Sequence, residues 1–147
     1  MAYMEIKNVS FTYENGFEAI SGLNISIDKG EKVAIIGENG AGKSTTAKMI
    51  NGLLRPTAGD VVIDGMNTKD YTTAQIAKKV GYVFQNPDDQ IFNNTVFNEV
   101  AYTPKYYKLK PEEVERRVSK ALQLTGLDQS RDGNPYDLSY SHRKFVT

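Results

Sequence analysis

Apolar and polar residues alternate in two segments near the start of the chain, VSFTY at 9–13 and LNISI at 23–27. A period of two residues predicts half-buried strands of an antiparallel pair. The run VAII at 33–36 lacks this alternation and lies between turn residues, so it predicts a strand buried on both faces. Short apolar runs at 59–65 and 81–85 predict two further strands.

Helical patterns separate and follow the later strands. Residues 43–54 and 73–80 predict two helices between strands. This order, after an initial pair of strands, favours a mixed sheet with a parallel core. After Gln85 the pattern becomes helical, with a short helix at 95–102 and a longer one at 111–126. The second half therefore predicts a helical subdomain.

The segment 111–126 carries the signals of both helix ends. Pro111 stands at its start and Gly126 at its end, which are the positions that these residues favour. Glu112 and Glu113 lie in the first turn, where carboxylates interact favourably with the helix dipole. The predicted apolar face consists of Val114, Val118 and Leu122.

Composition narrows the possible functions of this 147-residue chain, a length typical of one domain. Lys plus Arg and Asp plus Glu both number 18, so the net charge is zero, which argues against binding nucleic acid by bulk charge. The absence of cysteine excludes disulfides, thiol nucleophiles and cysteine–zinc sites. No apolar run approaches the 18 residues of a membrane span, so another chain must cross any membrane involved.

The glycine-rich segment GENGAGKST at 37–45 is the main candidate for chemistry. Gly37, Gly42, Lys43 and Ser44 match the pattern G-x-x-x-x-G-K-[ST] between a predicted strand and a predicted helix. Backbone N–H groups that wrap a triphosphate need close approach and unusual φ angles, which glycine permits. The predicted nucleotide-binding residues of this segment are Gly37, Asn39, Gly40, Ala41, Gly42, Lys43, Ser44 and Thr45.

Three polar side chains of this segment have expected partners. Lys43 supplies a positive charge for the β and γ oxygens, the Ser44 hydroxyl coordinates Mg²⁺, and Thr45 bonds to the α-phosphate. The helix that begins near Lys43 directs its positive end at the phosphates. The competing interpretation is a glycine turn between a strand and a helix with a chance lysine. The flanking strand and helix favour nucleotide binding.

Four features follow one another along the chain. They are residues 11–31 with an aromatic residue before a strand, the glycine-rich loop at 37–45, the glutamine-containing VGYVFQNPDDQIF at 80–92, and DLSY at 137–140. In this order they resemble an ATP-binding cassette ATPase, the motor subunit of a transporter. The resemblance implies an α/β fold, a P-loop NTPase of the ABC ATPase type with an antiparallel β subdomain and a helical subdomain, truncated before the Walker B strand. It divides the chain into residues 1–85, 86–137 and 138–147.

The resemblance also implies roles for two residues outside the loop. Tyr13 would stack on adenine, and the alternative is an aromatic residue packed in a strand. Gln85 would contact Mg²⁺ and the attacking water, and the alternative is an amide bonded to backbone at a strand end. The implied catalytic residues are Lys43 and Gln85, and the implied metal-binding residues are Ser44 and Gln85, with ATP and Mg²⁺ as cofactors.

The stretch from FQNPDDQ to VFNEVAY most resembles the energy-coupling-factor subgroup, which powers uptake of vitamins or transition-metal ions. The resemblance then implies a peripheral subunit at the cytoplasmic face of the membrane, with transmembrane transporter subunits as partners and no nucleic acid. Five aromatic residues could face such a partner or form ordinary subdomain core: Phe92, Phe97, Tyr102, Tyr106 and Tyr107.

The segment LSYSHRK departs from the family signature L-S-G-G-Q. Leu138 and Ser139 fit, but Tyr140, Ser141 and His142 stand where the family has Gly, Gly and Gln. In the family this loop caps the γ-phosphate held by the partner subunit, and a tyrosine should crowd it. The sequence therefore predicts a degenerate signature, and it favours a heterodimer with a second ABC ATPase subunit.

The family continues with an Asp, a Glu and a histidine that are absent from the sequence up to Thr147. The 147-residue chain is therefore expected to be an N-terminal fragment that does not hydrolyse ATP and that self-associates or is unstable. Other functions remain open. They are a soluble ABC-type ATPase acting on nucleic acid or ribosomes, an unrelated P-loop kinase of small molecules, and a nucleotide-binding module without catalysis.

Overall fold

The computed structural model describes residues 2–147, and the chain divides into two compact units. The first extends to Tyr82 and the second is Val83–Thr147. The first unit contains β1 (Met4–Thr12), β2 (Glu18–Ile27), α1 (Lys43–Ile50), β3 (Ala58–Ile63), β4 (Met66–Asn67) and α2 (Thr73–Ile76). The second contains α3 (Val96–Tyr106), α4 (Pro111–Thr125) and α5 (Tyr140–Val146), with short 3₁₀ turns between them.

The first unit is built on one antiparallel sheet with strand order β2-β1-β3-β4. Ile6 of the central strand β1 pairs with Ile25 on one side and Val61 on the other. The strand predictions for 9–13, 23–27 and 59–65 are confirmed, although β1 ends at Thr12. The buried core of this unit consists of Ile6, Val9, Phe11, Ile20, Met49, Val61, Ile63 and Ile76.

The predicted parallel core is wrong for the part of the chain that the structure describes. Residues 33–36 form no strand, and Ile36 is 92% exposed. Residues 81–85 form no strand either. A strand requires a hydrogen-bonded neighbour, and every pairing in the described sheet is antiparallel among β1 to β4. An apolar run alone therefore does not specify a strand.

Two predicted helices of the first unit are shorter than expected. The helix α1 begins at Lys43 as predicted but ends at Ile50, because Gly52 adopts a left-handed φ of 74° that stops the helix. The helix α2 ends at Ile76, although it begins with a full capping box between Thr72 and Gln75.

The second unit packs α3, α4 and α5 around an apolar core. The prediction for α4 is confirmed at both ends, since Pro111 opens it and Gly126 terminates it with a φ of 70°. Its predicted apolar face is buried, and α3 continues four residues past the predicted end, to Tyr106. The core of this unit consists of Val96, Ala101, Val114, Val118, Leu122, Leu127 and Val146.

Candidate functional site

The glycine-rich loop of the first unit leads directly into α1. Gly40 and Gly42 have left-handed φ angles of 87° and 80°, and Gly42 occupies the N-cap of the helix. A Cβ atom at Gly42 would lie 2.7 Å from the carbonyl oxygen of Ala19 and would collide with the Ile20 side chain. The loop therefore rests on β2 at a distance that only glycine allows.

The Lys43 ammonium is bonded to the loop that precedes it. Its Nζ donates to the carbonyl oxygens of Gly37, at 2.8 Å, and Glu38, at 2.6 Å. A lysine ammonium has three N–H donors. Two of them are used by the loop carbonyls, which leaves one for a ligand. The side chain thus folds over the loop and carries its charge at the start of α1.

Three hydroxyl residues follow Lys43 in the first turns of α1. Ser44 is exposed, whereas Thr45 and Thr46 are buried. Thr46 closes the first turn, because its backbone N–H and its hydroxyl both donate to the carbonyl oxygen of Gly42. The first turn contains no acidic residue, so no carboxylate competes with an anion at the positive end of the helix.

Tyr13 lies in the turn between β1 and β2. Its N–H donates to Phe17 O, and its own carbonyl oxygen accepts from Gly16 N, which makes this a tight hairpin turn. The Tyr13 ring meets Phe11 edge to face at 4.9 Å and lies nearly parallel to Phe17 at 6.4 Å. Its hydroxyl is 2.9 Å from the Thr45 hydroxyl. The first unit therefore brings Tyr13 to the same helix end as the glycine-rich loop.

Gln85 belongs to the second unit, where its side chain is exposed. The segment that follows it is attached to α5 by side-chain contacts. The Tyr140 hydroxyl donates to Gln85 O at 3.4 Å, and Arg143 forms an ion pair with Asp88 at 2.7 Å. Gln90 accepts from the Phe84 N–H and donates to the carbonyl oxygen of the last residue of the chain.

The signature segment forms the start of α5. Leu138 packs against the core of the second unit, and Ser139 is the N-cap residue, whose hydroxyl accepts from the His142 N–H at 3.3 Å. His142 also contacts this hydroxyl through Nδ1 at 3.1 Å, so its local contact is with the helix cap. Tyr140 is half exposed at 52%, with the Lys144 ammonium 5.6 Å from its ring centroid.

The contacts that hold the segment after Gln85 could not be predicted from the sequence. Asp88 and Arg143 are 55 positions apart, and no local pattern indicates that two such residues form an ion pair. Tyr136 was also missed. Its hydroxyl donates to Ile91 O at 2.9 Å and its ring lies 5.6 Å from the Arg143 guanidinium carbon.

The oxygen ligand on α1 suits a magnesium ion bound to a nucleotide better than a metal held by protein ligands alone. Among residues 2–147 no group of three His, Asp or Glu side chains is placed to hold a metal. The Ser44 hydroxyl is a hard oxygen ligand, and Mg²⁺ commonly combines one or two protein ligands with phosphate oxygens and water. The residues present therefore fit a Mg²⁺ ion that arrives with a polyphosphate.

Comparison with known proteins decides the family. The profile described as ABC transporter matches residues 20–147. The chain belongs to the ABC transporter family. Among curated relatives, a putative ABC transporter ATP-binding protein of Pyrococcus furiosus is 48% identical over 136 residues, which cover 92% of this chain and 52% of that protein.

The chain is also similar to EcfA of Methanothermobacter thermautotrophicus, an energy-coupling factor transporter ATP-binding protein. It is 43% identical over 146 residues, which cover 97% of this chain and 47% of that protein. The chain thus spans about half the length of the curated relatives that it matches.

Two solved structures share the fold. The first is cbiO1 of Clostridium perfringens, described as part of the ABC transporter complex cbiONQ, with a TM-score of 0.87 and 33% identity over 99% of this chain and 59% of that one. The second is a dimeric ATP-binding cassette bound to ADP and Pi after hydrolysis, with a TM-score of 0.84 and 32% identity over 97% of this chain and 66% of that one. The fold is that of an ABC ATPase, with its antiparallel sheet and helices.

No helix within residues 2–147 combines the length and apolar character that crossing a membrane requires.

Proposed function

We propose that this chain binds Mg-ATP at the loop of residues 37–45 and is the ATP-binding part of a transporter motor subunit. One observation carries the proposal. The Lys43 ammonium is held over a loop that leads into the start of α1 and whose Gly42 lies directly against β2. A positive charge, a helix N-terminus and open backbone amides are the elements of a phosphate site.

Each residue of the site has a proposed task. The Lys43 ammonium exchanges loop carbonyls for β- and γ-phosphate oxygens, and Thr45 donates to the α-phosphate. The exposed face of the Tyr13 ring stacks on adenine, with Phe17 beside it. Ser44 is the proposed magnesium ligand of the first unit, and Mg²⁺, when bound, would neutralise phosphate charge.

The whole protein is proposed to be an ATP-hydrolysing subunit of the energy-coupling-factor type. It would serve an importer of a vitamin or a transition-metal ion, at the cytoplasmic face of a membrane. The support is the similarity to EcfA and to cbiO1, which are described as transporter components. The signature in which Tyr140 replaces glycine supports pairing with a second, different ATPase subunit.

The partner-facing surface is proposed to be an exposed aromatic cluster, defined as Phe92 before α3, Tyr102 and Tyr106 on α3, and Tyr107 at its C-cap. These side chains are exposed, and their rings contact one another in sequence at 4.8, 6.4 and 5.7 Å. Contiguous exposed aromatic surface marks interaction sites. Phe97 is different, because the Arg131 guanidinium carbon covers its ring at 4.1 Å and the ring packs on the core.

The nucleotide site is tested by replacing the lysine. Titration calorimetry with Mg-ATP should detect binding to the wild-type chain and none to Lys43→Ala at the same concentrations. Lys48→Ala is the matched control, because it removes a lysine from the last turn of the same helix and should leave the affinity unchanged. Undiminished binding by Lys43→Ala, with a native circular dichroism spectrum, would show that the loop is not the phosphate site.

A further inference from the structure

The hydroxyl groups of Tyr13 and Thr45 form a hydrogen bond of 2.9 Å between residues 32 positions apart. Thr45 lies in the first turn of α1 and is only 7% exposed, so few groups can reach its hydroxyl. The bond links the β1–β2 hairpin to the helix that begins the nucleotide site. Stacking on a base would use only the face of the Tyr13 ring and does not require this hydroxyl.

Contacts within the hairpin restrict the orientation of the Tyr13 side chain. The backbone of Tyr13 is bonded at both its N–H and its carbonyl oxygen within the hairpin turn. Phe11 meets one part of the ring edge to face, and Phe17 lies beside it. These contacts limit the ring orientations, so the hydroxyl is directed at α1 by the fold of the hairpin.

The number of hydrogens and lone pairs on each hydroxyl determines which of the two donates when a phosphate is present. A phosphate oxygen in the site accepts hydrogen bonds, and a threonine hydroxyl has one hydrogen and two acceptor lone pairs. If Thr45 gives its only hydrogen to the phosphate, the Tyr13 hydroxyl must donate to the Thr45 oxygen. The two bonds are then compatible, and each strengthens the other by polarisation.

We infer that Tyr13 is a positioning residue for Thr45, and that its hydroxyl orients the Thr45 hydroxyl toward the α-phosphate. The inference rests on the proposed binding of nucleotide at the loop. It gives Tyr13 two separable contributions. The ring face acts on the base, and the hydroxyl acts on the phosphate through Thr45.

Tyr13→Phe separates these contributions, because it keeps the ring and removes the hydroxyl. The affinities for Mg-ATP and for Mg-tripolyphosphate should both fall, and by the same factor of about 2 to 10, the range that one hydrogen bond supplies. Tyr13→Ala should instead weaken Mg-ATP more than Mg-tripolyphosphate, because it also removes the stacking surface. Tyr71→Phe, the same substitution elsewhere in the first unit, should change neither affinity.

A double-mutant cycle tests whether the hydroxyl acts through Thr45. Thr45→Val should weaken both ligands, and adding Tyr13→Phe to it should cause no further loss. Thr45→Ser retains the hydroxyl, so Tyr13→Phe should still cost the full factor in that background. Thr45→Ala also removes the hydroxyl and serves in the cycle if Thr45→Val fails to fold.

Three results would overturn the inference. They are unchanged affinities in Tyr13→Phe, additive losses in the cycle, and tighter binding by Tyr13→Phe. Tighter binding would mean that the Tyr13–Thr45 bond must break before nucleotide binds. These results are distinct from failure of the proposed function, in which Lys43→Ala binds Mg-ATP as the wild-type chain does.

Discussion

Gly42 is the single residue whose replacement the loop tolerates least. It combines a left-handed φ of 80° with a position where a Cβ atom would meet the backbone of β2. Gly40 shares the left-handed φ, at 87°, but a Cβ atom there would have nothing within 4 Å. Substitution of Gly40 therefore tests backbone strain alone, whereas substitution of Gly42 tests strain together with steric collision.

We expect Gly42→Ala to be more destabilising than Gly40→Ala. Gly40→Ala should lower the free energy of unfolding by about 1–2 kcal/mol, the cost of left-handed backbone with a Cβ. Gly42→Ala should cost about 1–3 kcal/mol more, the range for overpacking against a rigid neighbour. Urea titrations followed by circular dichroism measure the difference. Equal losses in the two variants would mean that the loop moves away from β2 without cost.

At the scale of elements, the sequence predicts features that depend on local residues better than features that depend on distant parts of the chain. The ends of α4 were predictable because Pro111 and Gly126 act on their own turns. Residues 33–36 were mispredicted because strand formation depends on a neighbouring strand, which an apolar run does not identify. The loop at 37–45 was predictable as a motif, whereas its contact with Tyr13 depends on the fold of the hairpin.

The attachment of the segment 84–91 to α5 should be visible in amide hydrogen exchange. Arg143→Gln removes the ion pair with Asp88, so exchange in that segment should rise about two- to fivefold, as for a partly exposed pair. Arg116→Gln, which breaks an ion pair with Glu113 on α4, is the control and should leave this segment unchanged. If Arg143→Gln also leaves it unchanged, the ion pair does not hold the segment.

The acid response of α4 follows from two glutamates. Hydrogen bonds from Arg116 and then Arg117 lower the pKa of Glu113 to about 2, and those from Arg131 and then Ser119 lower the pKa of Glu115 to about 2. Both values lie below the ordinary 4.5, so the folded state binds fewer protons than the unfolded state. The stabilisation is present above pH 4.5 and is lost as the pH falls toward 2.

This acid response is measured by urea midpoints between pH 5 and 2. The midpoint of the wild-type chain should fall over that window, and the midpoint of the double variant Glu113→Gln, Glu115→Gln should fall less. Asp60 and Asp64 in the first unit also have lowered pKa values, so some fall should remain in the variant. Identical pH profiles would show that the arginine contacts do not persist in solution.

At the scale of the whole molecule, the first unit presents apolar side chains that its sheet does not cover. Val33 and Ile35 are about half exposed, and Ile36 is almost fully exposed. The 147-residue chain is predicted to self-associate or to be unstable, and the exposure of these side chains favours self-association. Adjacent exposed aliphatic side chains favour association with other apolar surface.

Analytical ultracentrifugation tests this expectation with a matched pair of substitutions. Ile36→Lys should shift the chain toward monomer at concentrations where the wild-type chain associates. Leu124→Lys replaces another highly exposed aliphatic residue, at 79% exposure on α4, and should not shift it. Equal effects would mean that association has no preference for the segment 33–36, and a monomeric wild-type chain would refute the expectation itself.

The two carbonyl contacts of the Lys43 ammonium affect the cost of ligand entry. The side chain is already ordered beside the loop, at 2.8 Å from Gly37 O and 2.6 Å from Glu38 O. In the proposed binding mode the ammonium gives up these two carbonyls for phosphate oxygens, so two hydrogen bonds within the loop must break as the ligand enters. Association of a polyphosphate should therefore be slower than simple encounter, because the Lys43 side chain has to rearrange first.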